Sequence, residues 1–391
     1  MPELADRVKS MGVEDAFIVL EKAKAMERAG TRVIHFEIGE PDFDTPGNIK
    51  EAAIKALREG FTHYTPADGI YELREAIAEK AGEKRDIDIK PEEVVVTVGG
   101  KMAIFSAVFT FINPGDEVIL PSPAYPAYAA AVELAGGSIV KVPLLEEKGF
   151  SFRPEDIESK VSKRTKAIIV NSPSNPTGGV IDKSDLEALA EIAKKYDLVV
   201  LSDEIYEDIV FDGEKHSSIA SIPGMKERTV IISGFSKSYA MTGWRLGYAI
   251  ASANVADKIK RIQLNACSCP VSFAQKGAIE AILNGMESAR SMAREYERRR
   301  DVIIDGLNRI PGFKCLKPKG AFYAFPNVKE LGLSSKVLAG RILEEAAVAL
   351  LPGTSFGMEG EGYLRLSFAT SVENIKEGLE RIRGFVEEKL T

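Results

Sequence analysis

The segment SGFSKSYAMTGWRLGY, Ser233 to Tyr248, sets one lysine, Lys237, among small and hydroxyl residues, beside the only tryptophan of the chain and eight positions before Arg245. A free lysine amine has a pKa of about 10.4 and is almost wholly protonated at neutral pH, so a lysine that works as nucleophile or proton carrier must be neutralised by its surroundings or held as a Schiff base. Most lysines are solvated surface residues, but the neighbours of Lys237 do not read as a charged surface. Three other segments offer polar groups at useful spacing. Gly99-Gly100-Lys101 opens a helix-like stretch, where free backbone N–H groups stabilise an anion. NSPSNPTGG, Asn171 to Gly179, is a polar loop stiffened by two prolines. Ser202-Asp203-Glu204-Ile205-Tyr206 sets a carboxylate and a phenol three residues apart. Each has a plainer reading: a tight turn for the glycine pair, a connecting loop for the second, a helix cap for Asp203.

These segments follow short β-branched runs at Val94 to Val98, Ala167 to Val170, Leu198 to Leu201 and Thr229 to Ile232, with further runs at Glu117 to Leu120 and Gly247 to Ala251. Near-continuous apolar strands alternating with amphipathic helices such as Ser184 to Lys195 predict an α/β fold, a mostly parallel, doubly wound sheet buried on both faces. In such a sheet, ligands sit beyond the carboxyl ends of the strands, where these polar segments fall. After about Gly285 the pattern changes to a long charged helix ended by Pro311-Gly312, then GAFYAFPNV, Ala347 to Gly353, GYLRLSFAT and a final amphipathic helix. The expected division is a large domain over residues 46–288 and a smaller α+β domain formed by residues 1–45, with a helix near Phe17 to Ala29, and residues 289–391.

Composition removes other classes. With 51 Lys and Arg against 58 Asp and Glu, the net charge of −7 has the wrong sign for a phosphate-backbone binder, so no nucleic-acid partner is expected. No apolar run approaches the ~18–20 residues of a membrane span, and the start, MPELADRVKSMG, lacks the apolar core of a signal peptide; a cytoplasmic protein without a membrane partner is expected. Cys267, Cys269 and Cys315 have neither disulfide-framework nor zinc-knuckle spacing and read as packing residues, and the scattered His35, His63 and His216 supply no metal-ligand motif. GGK is neither GxGxxG nor a P-loop.

NSPSNPTG, SDEIYED, SGFSKSYAMTGWRLGY and GYLRLSF, in this order, resemble class I aminotransferases of pyridoxal-phosphate fold type I, in the style of prokaryotic and archaeal aspartate and aromatic aminotransferases. The likeness runs from FEIGEPDFDTP to the C-terminal helix. It implies that Lys237 carries pyridoxal 5′-phosphate and moves a proton, that Asp203 keeps the cofactor ring nitrogen protonated, and that Tyr206 and Asn175 bond the ring's phenolic oxygen. It implies that Tyr125 stacks on the ring, and that Arg245, Ser236 and the amides at Gly100 and Lys101 hold the phosphate. Many relatives carry serine where this chain has Gly234, so part of that hydroxyl contact is expected from Ser233. Arg365 and the backbone of Gly39 match the groups that grip the substrate α-carboxylate, with Tyr125 and Asn175 beside them. An unpaired arginine between Tyr363, Leu364 and Leu366 would be costly, which favours a ligand-binding Arg365. Family members are homodimers with shared sites, and Tyr64 matches the tyrosine given to the neighbouring subunit.

The expected function is amino transfer from an L-amino acid to a 2-oxo acid such as 2-oxoglutarate. Lys101 favours an aspartate-like donor, while aromatic or alanine donors stay open. A cysteine-sulfur β-lyase on the same scaffold and a non-enzymatic sensing module are the rival readings; the latter needs an N-terminal DNA-binding domain, whereas the likeness begins within about 35 residues of Met1. Only two glutamines beside 28% charged residues point to a thermophilic source.

Overall fold

The computed structural model describes Glu3 and residues 14–390; the reading of the first dozen residues lies outside this range apart from Glu3. The strands in chain order are β1 (Ile34–His35), β2 (Val94–Thr97), β3 (Glu117–Ser122), β4 (Ser138–Pro143), β5 (Thr165–Asn171), β6 (Val199–Asp203), β7 (Thr229–Gly234), β8 (Gly247–Ile250), β9 (Tyr323–Ala324), β10 (Val348–Ala349), β11 (Leu351–Pro352) and β12 (Leu364–Ser367). Seven of them form one sheet in the order β2-β8-β7-β6-β5-β3-β4. All run the same way except β8, which is antiparallel to both neighbours. Sequence patterning anticipates six of the seven. The seventh, β4, is an edge strand whose residues are mostly exposed or half-exposed, so it lacks a continuous apolar run.

The central strands need their β-branched residues because helices cover both faces. Ile168, Val200 and Ile119 pack against Leu186, Leu189 and Ala190 of the helix Lys183–Lys195, while Val95, Ile169, Leu201 and Val230 pack with Ala103 and Ala107 of the helix Gly99–Phe111. Each such side chain contributes about 1.5–3 kcal/mol on burial. A separate core gathers the helices Met286–Leu307, Ser335–Ala346 and Val372–Lys389 around the antiparallel sheet β11-β12-β9. β1 joins this part by pairing with β10, Ile34 opposite Val348. Tyr206, from the loop after β6, belongs to the same core and ties the two sheets together. The long helix begins at Met286 and ends at Leu307, ahead of Pro311. Of the cysteines only Cys315 is buried; Cys267 is exposed at the end of the helix Ala253–Cys267, so the packing expectation fails there.

The sheet's carboxyl edge collects the segments singled out above. β2, β3, β5, β6 and β7 all end there, and the reversed β8 begins there, which brings Arg245, two residues before Gly247, to the same edge. Close backbone approach at β7–β8 explains Gly234: an added Cβ would lie 2.8 Å from the Gly247 Cα and 3.2 Å from the Leu246 carbonyl oxygen. Neither atom can yield. Gly234→Ser should therefore cost about 1–3 kcal/mol of stability, read as a lower urea midpoint, and an unchanged midpoint would contradict the packing argument.

Candidate active site

A cavity of about 490 Å³ opens between the carboxyl edge of the large sheet and the β11-β12-β9 sheet. Gly39, Gly100, Lys101, Tyr125, Asn175, Asp203, Tyr206, Ser236, Lys237, Arg245 and Arg365 all line it. Two expected residues do not. Ser233 is buried with its hydroxyl donating to Glu207 at 3.3 Å, so it faces the opposite side of β7 and cannot replace a hydroxyl lost at Gly234. Tyr64 is 90% exposed on the surface of this chain.

Lys237 lines the cavity with most of its side chain enclosed, and its amine donates to the Gly39 carbonyl at 2.6 Å. Burial lowers its pKa to about 8; Glu40 opposes the shift, and the nearby guanidiniums of Arg365 and Arg245 add to it. Asp203 ends β6 at 4% exposure. Burial raises its carboxyl to about 6 despite a 2.7 Å hydrogen bond from Tyr128 and a 3.1 Å bond from the Ile205 amide. Asn171, which ends β5, donates to the Asp203 carbonyl at 3.0 Å and accepts from the Asn175 amide at 2.8 Å, locking two strand-end loops together.

Arg365 on β12 is 3% exposed, with its guanidinium 4.7 Å from the Tyr323 ring centre and 5.2 Å from that of Phe356. It contacts the Glu37 carbonyl and approaches the Asn175 side-chain oxygen at 3.5 Å, while its buried Nε has no partner. Burial pulls its pKa down. Uncompensated buried charge is expensive, so the cavity is electrostatically prepared for an anion.

The helix Gly99–Phe111 starts at the cavity with no side-chain cap, leaving its first amides free. Arg245, in a left-handed conformation at φ 53°, lies against Gly99, where an added Cβ would collide with its guanidinium. Ser236 adds a hydroxyl. Tyr206 and Tyr323 share a 2.7 Å hydroxyl–hydroxyl bond, and burial raises both.

Tyr128, Tyr323, Asn171 and Glu14 belong to the site yet escaped sequence reasoning. Tyr128 sits in the same SPAYPAY run as Tyr125, and Asn171 opens the loop already noted; Glu14 carries no local signal. On the far side of the SDEIYED loop, Glu204, Glu207 and His216 bring possible metal-ligand atoms within 4.8 Å of one another. Arg85 fills that spot, bonding Glu204 at 2.6 Å and Glu207 at 2.7 Å, so the cluster is an ion-pair anchor for the loop carrying Asp203 and Tyr206.

The geometry is that of an enzyme handling small anionic molecules with a neutralisable lysine, and comparison with known proteins gives it a family. Residues 31–382 match the model of aminotransferase class I and II. The chain is 44% identical over 99% of both chains to aromatic-amino-acid aminotransferase 2 of Thermococcus litoralis, and 46% identical to aspartate aminotransferase of Pyrococcus abyssi over 91% of this chain and 92% of that one. It superposes on aspartate aminotransferase from Thermus thermophilus with maleate at a TM-score of 0.94, with 42% identity over 98% of this chain and 100% of that chain. The protein belongs to the class I and II aminotransferase family, whose class I members use pyridoxal phosphate, and it is an amino-group-transferring enzyme. The lyase and sensing alternatives are not favoured. Among the described residues no helix is long and apolar enough to cross a membrane.

The depressed Lys237 has a consequence for stability. Below pH 8 the folded protein must bury a charged amine, while the unfolded chain keeps it solvated with a pKa of about 10.4. Lys237→Met should stabilise the cofactor-free protein at pH 7 by about 1–2 kcal/mol, discounted for the part of the side chain facing water in the cavity. This gain should shrink as pH rises from 8 to 10.5, where both states become neutral. A difference independent of pH, in denaturation at pH 7 and 10, would contradict the lowered pKa.

Proposed function

We propose that the cavity holds pyridoxal 5′-phosphate and transfers the amino group of an L-amino acid, preferably dicarboxylic, to a 2-oxo acid such as 2-oxoglutarate. The donor set fits the group. The uncapped amides at Gly100 and Lys101, with Ser236 and the Arg245 fork, suit a phosphate dianion; Asp203 suits a protonated ring nitrogen; Asn175 and Tyr206 suit the phenolic oxygen; Tyr125 suits the ring face. Bound there, the cofactor supplies the electron sink that lets the substrate Cα–H bond break. Lys237, its amine brought down to about 8, would take the proton from Cα at Nζ and return it to C4′ of the cofactor. Tyr128 and Asn171 hold Asp203 in place.

The observation that carries this reading is Arg365: a buried guanidinium with an unpartnered Nε, facing the same cavity as Lys237. It would take the α-carboxylate with Asn175 and the Gly39 backbone, fixing Cα toward the lysine. Lys101, on the cavity rim, would take the distal carboxylate of aspartate or glutamate. The relatives named aspartate aminotransferases, and the Thermus structure solved with maleate, support that preference.

We further propose a homodimer in which Tyr64 of one subunit reaches the phosphate of the other. Tyr64 and Leu57 are exposed, and an apolar groove lined by Ile54, Leu57, Trp244, Val271 and Phe273 adjoins Arg245. We also propose residues 46–288 as the cofactor domain and the two chain ends as the smaller one.

Arg365→Lys should raise the donor KM by roughly 10- to 1000-fold, because an ammonium cannot reproduce a bidentate fork in a dry site. The cofactor's visible absorbance should survive. Normal kinetics with every donor in a screen against 2-oxoglutarate would defeat the assignment, and loss of the absorbance would mean that Arg365 holds phosphate.

A further inference from the structure

Glu14, at the start of the helix Asp15–Arg28, places its carboxylate on the rim of the cavity. Its Oε1 pairs with the Lys101 amine and accepts a hydrogen bond from the Tyr125 hydroxyl at 3.1 Å. Lys101 also lies 5.6 Å from the centre of the Tyr125 ring. Beside this polar pair the rim is apolar: Ala16, Phe17, Ile38 and Ile104 line it, and Phe17 is 59% exposed. One mouth therefore presents a cation already matched by an internal carboxylate, together with surface suited to an aromatic side chain.

We propose that Glu14 is a specificity-determining residue, an internal substitute for the distal carboxylate of a dicarboxylic substrate that competes with it for Lys101. This rests on the reading of Lys101 as the group facing the substrate side chain. When the substrate side chain is aromatic, Glu14 stays on Lys101 and Tyr125, the lysine charge remains paired, and the ring packs on Phe17 and Ile38 without burying a naked ammonium. When the side chain is a carboxylate, it replaces Glu14 on Lys101. The released Glu14 is then solvated at small cost, because its side chain is already 25% exposed and that of Lys101 45%, and ion pairs so exposed are weak. A single pocket then accepts both substrate classes by exchanging one carboxylate for another. A second carboxylate crowded onto Lys101 is repelled by the first, so Glu14 lowers dicarboxylate affinity and supports aromatic affinity.

The test is calorimetric titration of the cofactor-loaded enzyme with two unreactive acids, succinate and 3-phenylpropanoate, in wild type, Glu14→Gln, Lys101→Ser and the double variant. Glu14→Gln should tighten succinate about 5- to 30-fold and weaken 3-phenylpropanoate about 3- to 10-fold, since removing the internal carboxylate frees Lys101 for one ligand and leaves it unpaired beside the other. The ratio of kcat/KM for aspartate over phenylalanine should move the same way. In the Lys101→Ser background the Glu14 substitution should change neither affinity. Equal changes for both acids, or none, with Lys101→Ser still weakening succinate, would overturn the role of Glu14 alone. If Lys101→Ser leaves succinate binding intact, the Lys101 reading fails and the proposal falls with it.

Discussion

Enclosing the Lys237 amine without a carboxylate of its own is the constraint on which the rest of the structure turns. Its hydrogen bond goes to a neutral carbonyl, that of Gly39, and the charges around it oppose one another: Glu40 favours the ammonium most, the guanidiniums of Arg365 and Arg245 disfavour it, and Asp203 adds a smaller favourable effect. Burial and the two guanidiniums bring the amine down to about 8, so that a sizeable neutral fraction is present near physiological pH, which a surface lysine does not offer. The protein carries the cost of this arrangement in its large buried cores. It gains an amine able to react and to carry a proton where a solvated one could not.

Sheet topology delivers the partners of that amine. Parallel strands end on one edge, so the loops after β2, β3, β5, β6 and β7 converge without any long-range search among surface segments. Reversal of β8 adds the residues before it to the same edge, which is how Arg245 reaches the helix start at Gly99 although eight residues separate it from Lys237. The second sheet closes the cavity from the opposite side with Arg365 and Tyr323. The Tyr206–Tyr323 hydroxyl bond joins the two halves across the site. Behind this surface the Arg85, Glu204, Glu207 and His216 cluster fixes the loop that carries Asp203 and Tyr206. Breaking such a buried network is costly, which makes it an anchor for catalytic geometry.

Much of this was legible in the sequence because strand-end loops stand out as polar punctuation after apolar runs. Lys237, Asp203, Asn175 and Arg245 were each visible in that way, and the family resemblance supplied their roles. What escaped notice depends on three-dimensional facing. Ser233 lies one residue from a well-placed position, but side chains alternate along a strand and its hydroxyl turns to Glu207. Glu14 meets Lys101 across 87 residues and Tyr128 meets Asp203 across 75, distances over which no periodicity speaks. The edge strand β4 was missed because half-exposed residues blur the pattern on which strand detection relies.

The central claim is that the segment after β7 presents the one lysine amine poised to bind the cofactor covalently. The direct test is borohydride reduction of the purified enzyme saturated with pyridoxal phosphate, followed by peptide mass mapping. The account requires a single phosphopyridoxyl adduct on the peptide containing Lys237, and its disappearance on prior addition of excess amino donor. An adduct confined to Lys101 or another lysine, or no adduct at all, would contradict it.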